Sequence, residues 1–146
     1  MNQIERLQKN LSLLRLTCGM TVQNMADELD VNRQTISNLE SGTNKMTKIQ
    51  YLAIRSLFSF KINDQKDNEM LQYLLYYLVD HPDELDDEKR IKILEHAKIL
   101  TAAIKGGAST KDVSNTFDTL VKVLGVAIAS MAVSEILFEW IDDLFK

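Results

Sequence analysis

A single proline, Pro82, and five glycines are the only strong chain breakers in 146 residues. Between them apolar residues recur at three- and four-residue spacing, and no run alternates apolar with polar as a half-buried strand does. The chain is therefore expected to be all-α. Ile4, Leu7, Leu11 and Leu14 form one stripe with Leu13 and Leu16 beside it, predicting a helix over 4–16 that Gly19 stops. Thr21 is a good N-cap for a short helix over 22–29. Asp30, Val31 and Asn32 make a tight connection, and Asn32 caps a third helix over 33–40 with Ile36 and Leu39 inward. A fourth helix is predicted over about 47–58, burying Ile49, Leu52, Ala53 and Leu57.

The polar stretch 61–68 is the expected boundary between two units, 1–65 and 66–146. Beyond it, 69–79 is apolar and rich in tyrosine, and His81 before Pro82 interrupts the chain. A long amphipathic helix is predicted over 83–105, its acids crowded into the first turns where the helix dipole favours them. Gly106 and Gly107 break it, and Ser109 or Thr110 caps a final helix expected to continue to the C-terminus.

Charge divides the same way. Residues 1–61 carry eight Lys and Arg against five Asp and Glu, a net +3; the remainder carries nine against sixteen, a net −7. A basic unit can hold phosphates while an acidic one faces away. One cysteine, Cys18, excludes an intrachain disulfide, and with only His81 and His96 there is no zinc-ligand spacing. A cytoplasmic home is expected, since the N-terminus lacks the apolar core of a signal peptide. The longest apolar run, 123–133, is too short to span a bilayer and reads as buried helix. There is no glycine-rich phosphate loop, metal constellation or serine nucleophile elbow, so neither an enzyme nor a cofactor is expected.

The segment 20–42 carries most of the functional information. Two short helices joined by a three-residue turn cross steeply; Ala26 permits the close approach, and Val31 and Ile36 fill the inner corner. Left outward on the second helix are Arg33, Gln34, Thr35, Ser37 and Asn38, none of them acidic. Arg can fork onto guanine, and Gln or Asn onto adenine, in the major groove. This segment, and above all the run Arg33, Gln34, Thr35, Ile36, Ser37, Leu39, Glu40, Gly42, resembles the helix-turn-helix of the Xre family, which includes the phage Cro and lambda-type repressors. The resemblance extends over about 7–58.

The resemblance implies a five-helix lambda-repressor-like DNA-binding domain whose third helix enters the major groove. By position it makes Asn32, Arg33, Gln34 and Asn38 the base-edge readers, with Thr35 and Ser37 nearby. Gln23, Thr43, Asn44 and Lys45 become phosphate contacts that Lys48 can join, and Arg15 and Glu40 a structural ion pair. The sequence departs from the family twice. Val22 stands where a glutamine usually anchors the second helix to a phosphate, and Met46 and Thr47 occupy the region of the usual proline. The C-terminal half is too short and too helical for the self-cleaving domain of lambda-type repressors.

One recognition helix reads too few base pairs for useful specificity, so such proteins dimerise across half-sites one turn apart. The final helix is the candidate interface. Phe117, Leu120, Leu124, Ile128 and Met131 continue a stripe from Val113, while Leu137 and Trp140 spread apolar character around the helix. A helical oligomerisation domain is expected, dimeric or tetrameric, with an intrachain core as the alternative. Together these features describe a repressor from a mobile element that binds inverted-repeat double-stranded DNA operators as a homo-oligomer. The alternative from another class is a protein-interaction module, such as an antitoxin or the partner of an antirepressor protein or peptide, in which the helical C-terminal half does the main work.

Overall fold

The computed structural model describes residues 1–126 and 133–146, except the side chains of 133–138. All regular structure among the described residues is helical, and no helix there is long and apolar enough to cross a membrane. Asn2 opens α1 (Gln3–Lys9) by accepting from the Glu5 amide while the Glu5 carboxylate accepts from its own. The single helix predicted over 4–16 divides at Asn10, and α2 (Leu11–Thr17) follows. The Asn10 side chain donates to the Arg6 carbonyl at 2.8 Å, the local competition that makes Asn a poor residue in helix interiors. The apolar stripe survives the break, since Leu7, Leu11 and Leu14 are all fully buried.

The next two helices, α3 (Val22–Leu29) and α4 (Arg33–Ser41), pack against each other. After them α5 (Lys48–Asp64) is longer than the sequence suggests, and its buried face coincides with the predicted one only at Leu57 and the half-buried Leu52. Ile49 is 80% exposed and Ala53 is also outward, correcting the predicted stripe; Tyr51, Ile54, Arg55, Phe58 and Ile62 face the core. Apolar residues lie on every side of α5, so periodicity alone does not choose its inner face. That choice is made by neighbours distant in sequence, which receive Tyr51 and Arg55.

In α6 (Glu69–Leu74) the chain winds normally, then widens into a π-helical turn (Leu75–Asp80) and tightens into a 3-10 turn (Pro82–Glu84). The long helix predicted from residue 83 begins later, as α7 (Asp87–Lys105), because Asp86 is the residue that caps it. Ser109 caps α8 (Thr110–Val123). The prediction of one continuous final helix is corrected here. Gly125 adopts φ +69°, and the Val126 amide closes onto the Val121 carbonyl at 2.9 Å, a left-handed stop. Val123, expected to be buried, is 79% exposed beside that stop. The last helix, α9 (Val133–Leu144), is a separate element lying on α5.

The core is continuous: α2 packs on α7, α1 on the π-turn, and α7 on α8. The polar stretch around 65–68 participates in it. Asn68 is buried and donates to the Thr17 carbonyl at 2.8 Å, and Gln65 donates to that of Cys18 at 3.1 Å, so both satisfy the end of α2. Cys18 is buried there, and desolvation pushes its thiol well above the ordinary range. On the other side of the core Arg55, fully buried, reaches Asp80 on the π-turn at 2.7 Å and Ser59 at 2.7 Å, with its guanidinium 5.3 Å from the Trp140 ring centroid.

Candidate nucleic-acid interface

Local chemistry sets the geometry of the α3–α4 pair. Thr21 caps α3 through a reciprocal box with Asn24, each bond 3.0 Å. Val22 turns its side chain toward the core and is half-buried, while Gln23 and Asn24 of that first turn are exposed. At the other end Asp30 takes a left-handed conformation, φ +53°, and the Val31 amide bonds the Ala26 carbonyl at 3.0 Å. Asp tolerates this region better than branched residues do, so a sharp turn forms without glycine. Met25 and Ala26 on α3 and Ile36 and Leu39 on α4 are buried between the helices and the core.

What α4 presents outward is polar and organised. Asn32 is its N-cap, its Oδ1 accepting from both the amide and the hydroxyl of Thr35 at 2.9 Å. The Asn32 amide nitrogen therefore remains the group it can offer to a ligand. Arg33 and Gln34 are exposed, while Thr35, Ser37 and Asn38 are half-buried. Gln34 donates to Asn38 at 2.8 Å one turn along, leaving the Gln34 carbonyl oxygen and the Asn38 amide nitrogen as an aligned acceptor and donor. Three nearby acids are occupied: Asp27 accepts from Gln23, Glu28 pairs with Lys61 at 2.9 Å, and Glu40 is held by Arg15, while Asp30 in the turn is exposed.

Arg15 grips Glu40 with both arms of its guanidinium, Nε to Oε2 at 2.7 Å and Nη2 to Oε1 at 3.0 Å, and donates Nη1 to the Met20 carbonyl at 2.8 Å. This bidentate pair ties α2 to α4 and to the chain entering α3. α4 ends at Gly42, φ +76°, followed by the exposed run Thr43, Asn44, Lys45. The buried Met46 plugs the core behind that loop, and Thr47 caps α5, so the chain turns here without a proline. Lys48 is exposed, its ammonium lying 4.6 Å from the ring centroid of Phe145.

Sequence reasoning missed Gln8. Its amide nitrogen donates to the carbonyls of Leu39 at 3.0 Å and Asn44 at 2.7 Å, and its oxygen accepts from the Met46 amide at 2.9 Å. One side chain thus fixes both the end of α4 and the loop after it. No local pattern announces this role, since Gln8 lies 31 to 38 residues from these partners.

The expected oligomerisation residues whose side chains are described, Phe117, Leu120, Leu124 and Trp140, do not form one exposed surface. Phe117 is fully buried against Tyr73, with ring centroids 5.9 Å apart, and Trp140 is buried edge-on to Tyr51 at 5.7 Å. Both contribute to the core of their own chain. Leu120 and Leu124 are half-buried on α8. Ile128 and Met131 lie outside the described residues, as does the side chain of Leu137. No group of three or more His, Cys, Asp or Glu among the described residues could hold a metal ion. Comparison of the chain with models of known families, with curated proteins and with solved structures gives no match.

Proposed function

We propose that the chain is a sequence-specific DNA-binding transcriptional regulator, acting as a repressor, and that α4 lies in the major groove of its operator. The observation that carries this reading is the outer face of α4. It combines an exposed Arg33 with the aligned amides of Gln34 and Asn38 and has no acid, on a helix braced by Arg15, Glu40 and Gln8. Rigidly held amides and a guanidinium are the groups that discriminate base edges. Gln23, Thr43, Asn44 and Lys45 flank that face and would take phosphates, with Lys48 able to join after leaving Phe145. The net charge of +3 over residues 1–61 and the resemblance of 20–42 to the Xre helix-turn-helix support the same assignment. On this reading α1 to α5 form a five-helix lambda-repressor-like unit.

A reader of this size needs a second copy to cover a useful site, so the operator is an inverted repeat whose half-sites lie about 34 Å apart. With Phe117 and Trp140 used inside the chain, the self-association surface falls to exposed Val123 and its half-buried neighbours Leu120 and Leu124. Repression then follows from occlusion of a promoter. Selection of duplexes from a random library with the full-length chain tests this. A palindromic consensus is expected; a folded chain that enriches no consensus at physiological salt would exclude sequence-specific recognition.

A further inference from the structure

A long groove runs between the N-terminal helices and α7. Its first part, about 450 Å³, opens between α1 and the start of α7; its second, about 330 Å³, continues between α2 and the rest of α7. The two share Lys9, Asn10 and Leu94 in their linings, so they adjoin along α7. Its α7 wall extends from Arg90 to Lys105, which at 1.5 Å per residue is about 22 Å, or four turns of helix.

The lining draws on both halves of the chain, and its charges are basic throughout. Five bases border it, Arg6, Lys9, Arg90, Lys98 and Lys105, and no acid does. Lys9, Lys98 and Lys105 are exposed, and Arg6 spends its donors on the carbonyls of Val79 and Met1. Only Arg90 is paired, with the outward carboxylate of Asp87. Between the bases lies an apolar floor of Leu13, Leu16, Leu78, Ile91 and Leu94. Ile91, on the rim of that floor, is 54% exposed. An apolar trough with cationic edges and no anion complements a ligand with apolar residues on one face and carboxylates beside them.

We propose that this groove binds an acidic amphipathic helix of a partner protein, about four turns long, with its apolar stripe on Leu94 and Ile91 and its carboxylates against Lys9, Lys98 and Lys105. Duplex DNA fits it less well, because a phosphate backbone has no apolar face to cover the floor. None of the lining residues belongs to α4, so failure of one assignment leaves the other standing.

The test uses the full-length chain as bait for a displayed library of random peptides. The selected peptides are then measured by fluorescence anisotropy against the wild type and against K98E/K105E. Both lysines are exposed, so the variant retains its fold, as circular dichroism will verify. Enriched peptides should carry Asp or Glu beside apolar residues at three- and four-residue spacing. The variant should bind them about tenfold or more weakly, and exchanging their acids for lysine should restore binding to it. No enrichment, a consensus without acids, or affinity indifferent to the charge reversal overturns the proposal. It is equally overturned if the variant binds no peptide differently but loses affinity for duplex DNA, or falls to a smaller oligomer.

Discussion

Arg55 is the residue whose removal the fold should tolerate least. Its guanidinium is fully buried, pairs with Asp80 at 2.7 Å, donates to Ser59 at 2.7 Å and faces the Trp140 ring at 5.3 Å. Arg55→Met keeps most of the volume, so the cavity cost is small and the electrostatic consequence dominates. It leaves the Asp80 carboxylate, 12% exposed, without its cation. Burial already pushes that carboxyl above its ordinary value, with Arg55 and His81 pulling it back. Breaking one side of a buried pair costs about 3–5 kcal/mol, a large share of the roughly 5–15 kcal/mol that holds a domain together. At about 2–4 °C per kcal/mol the melting temperature falls by about 10 °C. Urea unfolding should be followed by far-ultraviolet circular dichroism and by fluorescence of Trp140, the only tryptophan, since coincident transitions license a two-state free energy. Arg55→Met with Asp80→Asn should recover about 1–3 kcal/mol of the loss, because the stranded charge is gone. A single variant within about 1 kcal/mol of wild type, the range of exposed ion pairs, or a double variant no better than the single, refutes the reasoning.

Three further outcomes follow from the geometry. Asn32→Asp keeps an equally good cap for α4 and should leave stability within about 0.5 kcal/mol, yet it puts a carboxylate on the proposed DNA face and should cut duplex affinity about tenfold or more in an anisotropy titration. Gln8→Ala removes the clamp on 43–46, costing about 1–3 kcal/mol in denaturant and weakening all duplexes alike while the selected consensus stays the same. Burial, with the Glu69 carboxylate beside it, pushes Asp118 up to about 6. The folded chain therefore holds this proton more tightly than the unfolded one, and stability is lost as pH rises from about 4 to 6. Asp118→Asn should flatten that part of the stability profile and raise the melting temperature at pH 7; an unchanged profile would sink the assignment.

The short, well-capped helices were the most legible part of the sequence. The predicted spans of 22–29 and 33–40 differ from α3 and α4 by at most one residue, because Thr21, Asn32 and Gly42 act within a single turn. The α5 face was illegible for the opposite reason: apolar side chains surround the helix, and Asp80 and Trp140, far along the chain, decide that Arg55 points inward while Ile49 does not. Gly125 lies inside the apolar run 123–133 that reads as helix, yet its left-handed conformation ends α8. At the candidate site the outward residues of α4 could be named from spacing. Gln8 could not, because its partners lie far along the chain.

The central claim, that α4 reads base edges, is tested most directly by the affinity of Arg33→Ala and Gln34→Ala for the selected operator and for an unrelated duplex of equal length. Neither side chain supports the core, as both are exposed. Each variant is predicted to lose about 1–3 kcal/mol on the operator and much less on the unrelated duplex, narrowing the ratio between them. Operator affinity equal to wild type in both variants, with the ratio intact, would contradict the account.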